Sequence, residues 1–108
     1  MHAAEASRHE AELVKRAIDA RIGATLASAQ GAYDSWQSAE SGAAAMGDNA
    51  RLMQRAYTLG EADLHSLLMA RRQATMVAHS ALAAKTAAAR AYYSLLIDAH
   101  LVWDMDHE

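Results

Sequence analysis

Apolar and small side chains recur along the first half of the chain at Leu13 or Val14, Ala17 or Ile18, Ile22, Thr25, Ala29, Tyr33, Trp36, Ala43, Met46, Ala50, Met53 and Tyr57. The steps are mostly threes and fours, the signature of one buried stripe on an α-helix, and they predict a helix over about 3–57. A second series reads Leu64, Leu67, Ala70, Ala74, Val77, Ala81, Ala84, Ala88, Ala91, Leu95 and Val102, and predicts a helix over about 62–103. Beside it runs another, about one residue further on: Leu68, Thr75, Ala78, Leu82, Ala89, Tyr92, Leu96, Ala99 and Trp103. The apolar sector of the second helix is therefore wider than one antiparallel partner can cover.

The two patterns meet at Tyr57-Thr58-Leu59-Gly60-Glu61-Ala62-Asp63. Gly60 can take the left-handed conformation that ends a helix, and Asp63 or Glu61 can cap or charge the start of the next one. The fold class is all-α: one long, coiled-coil-like antiparallel hairpin over 1–108, turning at about 58–61. Its surplus apolar face is expected to make the isolated hairpin self-associate into a helical bundle, most simply a dimer burying Tyr33, Trp36, Tyr92 and Leu95.

Composition sharpens this picture. There is no proline, about a quarter of the residues are alanine, and phenylalanine is absent. Long uninterrupted helices approaching closely fit that content better than a thick core does. At ~1.5 Å per residue, ~55 residues make a rod on the order of 80 Å, which needs a long partner. The weakest stretch is Ser41-Gly42-Ala43-Ala44-Ala45-Met46-Gly47-Asp48-Asn49. Each glycine there costs roughly 1 kcal/mol against alanine, an amount that packing can outweigh, and the helix is read as continuous.

A net charge of −3, with scattered basic residues, offers no footprint for nucleic acid. The absence of cysteine excludes disulfides, thiolate metal sites and a cysteine nucleophile, and leaves the periplasm open as a compartment. No apolar run is long enough to cross a bilayer and no signal-peptide core is visible, so the chain reads as soluble. For catalysis there is no His-Glu-x-x-His, no strand leading into a glycine-rich loop and no exposed serine turn. The chain is not read as an enzyme, and no catalytic residue or cofactor is assigned.

Six histidines raise the question of metal. His100 and Asp104 stand at helical i,i+4 spacing, with Asp106, His107 and Glu108 close behind, and imidazole with carboxylate suits zinc or cobalt. One such pair supplies two ligands only, and no metal site is assigned. His65 and His79 are too far apart to share an ion, and His2 and His9 lie on the polar start; all four are expected at the surface. Met46 and Met53 are a heptad apart, as are Met69 and Met76. Folding about 59–61 would bring the two pairs together as a thioether ladder for soft cations, although methionine is also the ordinary filler of irregular helix interfaces, the reading preferred here.

The string Tyr57-x-x-Gly60-Glu61-x-x-Leu64-x-x-Leu67-Leu68-x-Ala70-Arg71 resembles the periplasmic tip of TolC-like outer-membrane efflux channels. The stretch from Ala83 to Leu96, alanine-rich and then tyrosine-containing, looks like that family's returning helix, and the helix bearing Tyr33 and Trp36 is similar to the one that descends to the tip in the second structural repeat. The ending Asp98-Ala99-His100-Leu101-Val102-Trp103-Asp104-Met105-Asp106 looks most like the heavy-metal-exporting branch. The resemblance implies a periplasmic α-barrel hairpin from a trimeric channel of a tripartite pump, in the outer membrane of the parent protein, docking on a periplasmic adaptor (membrane fusion) protein that joins it to an inner-membrane pump.

Under this resemblance the adaptor-docking tip comprises Tyr57, Gly60, Glu61, Asp63 and Leu64. An arginine that some members carry two residues after the tip glycine is Ala62 here, which puts a gate built on that arginine in doubt. With no alternating barrel strands and a single hairpin, the chain would be a fragment of such a channel. The alternatives from other classes are a periplasmic metal-binding helical-bundle sensor or chaperone, and a coiled-coil interaction module.

Overall fold

The computed structural model describes residues 2–107, the side chain of His2 apart. Among the described residues there are two helices and no strand: α1 spans His2–Thr58 and α2 spans Leu64–Asp106, and together they form an antiparallel hairpin. Helix α1 runs through 41–49 unbroken. Packing accounts for this. A Cβ placed on Gly42 would stand 3.8 Å from Val77 Cγ1, so the glycine lies against α2, and Asp48 pairs on the surface with Arg51 one turn on instead of capping a new helix.

The hairpin divides into two compact units. One holds residues 32–89, with the turn at its end, and the other joins Met1–Gly31 to Arg90–Glu108. In the turn-bearing unit the shielded positions of α1 are Ala32, Trp36, Ala39, Gly42, Ala43, Met46, Gly47, Ala50, Met53, Gln54 and Ala56, and those of α2 are Ser66, Leu67, Ala70, Ala74, Val77, Ala81, Ala84 and Ala88. Leu67, Ala70 and Ala81 are its buried apolar residues among those described. Alanine dominates the α2 side, which lets the backbones approach and makes the core a single thin layer.

In the other unit the shielded positions are Ile18, Ile22, Thr25 and Ala29 on α1 and Ala91, Leu95, Asp98 and Val102 on α2. The steps alternate three and four throughout, the strict heptad of a coiled coil. Several side chains expected in the seam lie outside it: Leu13, Val14, Tyr33, Tyr57 and Leu64 are exposed. The seam passes instead through Ala32 and Ala56, because a small residue on the dividing line leaves a bulky neighbour free to turn outward. Trp36 and Leu95 are half-buried within the hairpin itself, so of the residues expected in a dimer contact only Tyr33 and Tyr92 remain exposed. Among the described residues, no helix is long and apolar enough to cross a membrane.

Candidate functional site

The tip is built from two caps. Helix α1 ends when Gly60 turns to φ +80°, the left-handed region where a side chain is strained. The Gly60 N–H donates to the Tyr57 carbonyl at 3.0 Å and the Glu61 N–H to the Ala56 carbonyl at 2.8 Å, the paired bonds of a Schellman motif. The Ala62 N–H also reaches the Ala56 carbonyl, at 3.3 Å. Three residues after the glycine, Asp63 opens α2: its Oδ1 accepts the Ser66 N–H at 2.8 Å and its carbonyl accepts the Leu67 N–H at 3.2 Å. Hydrogen bonding to Ser66, from its hydroxyl and then its backbone N–H, holds the Asp63 carboxyl below its ordinary value.

Of the two acids that sequence allows as the cap, it is Asp63 that caps. Helix α2 accordingly begins at Leu64 rather than at about residue 62. Tyr57, Glu61, Asp63 and Leu64 are all exposed around Gly60, and Leu59 joins them. Just behind the tip, Arg71 donates to the Gln54 side chain across the hairpin, tying the last turns of α1 to the first turns of α2. Such an end has both helices capped and is varied in its surface chemistry.

The second feature is the outer face of α2. Leu68, Thr75, Ala78, Leu82 and Ala89 are exposed in the turn-bearing unit, as are Tyr92, Leu96, Ala99 and Trp103 in the other. The wide apolar sector read from sequence is thus present on the helix, with one stripe in the seam and the other free.

The third is a buried acid that sequence reasoning passed over. Asp98 is 8% exposed and occupies the seam between Leu95 and Val102. Thr25 Oγ1 lies 2.8 Å from its Oδ2 and 2.9 Å from the Arg21 carbonyl oxygen, so one hydroxyl proton is shared between two acceptors. Arg21 Nη2 stands 3.5 Å from Oδ1, with its own side chain mostly in solvent. The signal was available: in a strict three-four register, the seam position between 95 and 102 is 98.

The histidine and methionine groups assemble less than their spacing suggests. His100 Nε2 lies 3.4 Å from Asp104 Oδ2, and the rings of His100 and His107 both stack on Trp103, at centroid distances of 6.4 and 4.1 Å. Among the described residues no group of three His, Cys, Asp or Glu side chains could hold a metal ion. Glu108, considered above as a further ligand, lies outside the described residues, as does the side chain of His2. His9, His65 and His79 are exposed. Met46 and Met53 line the seam while Met69 and Met76 point outward, so the four thioethers do not form one ladder.

No family model matches the sequence, and no curated protein or solved structure is significantly similar to it.

Proposed function

We propose that the chain is a structural and transport element: a periplasmic α-barrel hairpin of a TolC-like outer-membrane channel in a tripartite efflux pump, packing laterally through its outer stripe and meeting a periplasmic adaptor through its tip. The observation that carries the reading is the tip itself, where the Tyr57-x-x-Gly60-Glu61 string that bears the resemblance forms a doubly capped end with Tyr57, Glu61 and Leu64 exposed. A residue pattern that stops one helix, starts another and leaves its large side chains outward suits a docking end. The free stripe on α2 supports lateral packing, because a surplus apolar face requires neighbours. Heavy-metal export is the narrower form of the proposal and rests on the resemblance of the ending alone.

The test is capture in living cells. A photo-cross-linking amino acid at Leu64 of the full-length parent should trap a periplasmic adaptor, while the same group at Ala83, exposed far from the tip, should not. Finding the protein in the cytosol, with equal or no capture at both positions, would discard the efflux reading in favour of a coiled-coil interaction module, which the exposed stripe supports without reference to compartment.

A further inference from the structure

The segment of α2 from Ala91 to Met105 carries large apolar side chains well beyond its seam, with Ser94, His100 and Asp104 as the polar members of its exposed surface. Its inward positions are Ala91, Leu95, Asp98 and Val102, yet Tyr92, Tyr93, Leu96, Ile97, Leu101 and Trp103 are all exposed. An acid inside with Ile97 and Leu101 outside reverses the arrangement of a hairpin whose outer face meets only water. An exposed surface this rich in large apolar side chains is normally covered by a partner.

Within the exposed set Tyr92, Leu96, Ala99 and Trp103 are separated by four, three and four residues, a heptad seam one residue on from Leu95, Asp98 and Val102. At 3.5 residues per turn, a one-residue offset turns the second seam about 103° from the first. That is close to the ~90° corner of a four-helix ring, and two hairpins supply four helices with nothing added.

The area argues the same way. The chain exposes 8359 Å². A stable dimer asks about 800 Å² of each partner, about a tenth of that surface.

We infer that the face formed by Tyr92, Leu96, Ala99 and Trp103 binds a second copy of this chain, α2 against α2 and antiparallel about a two-fold axis. The stripe is self-complementary. With the axis midway between Leu96 and Ala99, each Leu96 meets the partner's Ala99 and each Tyr92 meets the partner's Trp103, a large residue against a small one beside the axis and aromatic on aromatic at the rim. None of the four positions carries a charge to be desolvated. The inference stands apart from the export role: an antiparallel pair sets the two tips at opposite ends, whereas the hairpins of a barrel point the same way.

Leu82 occupies the equivalent heptad position two repeats before Leu96 but belongs to the other unit, beyond the overlap that this axis allows. It supplies the internal control. Sedimentation equilibrium of the wild-type chain should give a dimer at about 100 µM. Leu96→Glu should weaken association at least tenfold, as expected for a charge placed at the centre of a contact, whereas Leu82→Glu and the tip variant Gly60→Val should leave it unchanged. Circular dichroism checks that the variants stay helical; both leucines are exposed, so neither change touches the hairpin's own seam. A wild-type monomer at about 100 µM, a dimer indifferent to Leu96→Glu, or equal weakening by Leu82→Glu would overturn the inference. Loss of tip capture with dimerisation intact would count against the docking role and leave this contact standing.

Discussion

Asp98 and Thr25 should respond to mutation with opposite signs. Thr25→Val removes the hydroxyl that hydrogen-bonds Oδ2 at 2.8 Å and leaves a carboxylate, 8% exposed as a residue, with Arg21 at 3.5 Å as its remaining partner. A buried acceptor left short of a partner costs about 1–3 kcal/mol, and a mostly solvated arginine returns little of it. Asp98→Leu instead removes the charge. Thr25 keeps the Arg21 carbonyl as an acceptor at 2.9 Å, so no group is orphaned. The larger side chain has room, since a groove of about 140 Å³ lined by Ile18, Ile22, Leu101, Val102 and Met105 opens beside it.

Burying the leucine contributes roughly 1.5–3 kcal/mol and offsets a charge-assisted hydrogen bond of similar worth. The desolvation cost of the carboxylate disappears as well, so the net change should be a stabilisation of about 1–2 kcal/mol. Urea unfolding followed by circular dichroism, at one fixed protein concentration, reads both values. A destabilisation of more than about 1 kcal/mol by Asp98→Leu would show that the acid holds the hairpin together, and the reasoning would fail. Where Asp98→Leu does stabilise, the acid serves to fix the register of the two helices, as a single polar seam residue can.

Gly60→Val should destabilise by about 1–2 kcal/mol through its positive φ alone, since no atom lies within 4 Å of an added Cβ, whereas Ala83→Val should cost about 0.5 kcal/mol; thermal melts distinguish them. Gly47→Ala, with open space around its Cβ, should stabilise α1 by up to about 1 kcal/mol by the same melts. The Asp63 carboxyl is held below its ordinary value in the folded chain, so its cap is fully present above about pH 4 and is lost as pH falls through the lowered folded value. The protection of the Ser66 amide, taken relative to its intrinsic exchange rate at each pH, should therefore fall on acidification below about pH 4, and Asp63→Ala should abolish that fall. Zinc at modest excess should move the melting temperature little; a rise of many degrees that His100→Ala abolishes would favour the metal-binding alternative.

The hairpin was legible because its signals are redundant. Two series of eleven or more positions can tolerate an error at Tyr33 or Leu64 and still describe two helices, and Gly60 stands alone between them. What periodicity does not resolve is which of two adjacent residues faces the partner, because neighbours differ by only 100° around the helix. Ala32 and Tyr33 compete for the seam, and the smaller residue takes it since both helices approach closely there. Asp98 was missed for a related reason: reading apolar residues alone skips a polar member of the seam, even where Thr25 waits opposite as its partner. The tip residues Tyr57, Gly60, Glu61, Asp63 and Leu64 do fall together, while the choice of Asp63 over Glu61 as the cap depends on backbone geometry after the glycine that sequence leaves open.

The measurement that bears most directly on the proposed role is resistance to exported metals and drugs in cells whose full-length parent carries either Gly60→Val or Ala83→Val at matched outer-membrane abundance. Both changes place the same branched side chain on a small, exposed residue, but only the first lies in the left-handed turn between Tyr57 and Asp63. A loss of resistance for Gly60→Val, with Ala83→Val near wild type, is the outcome expected of a docking tip. Equal resistance in the two strains would contradict it.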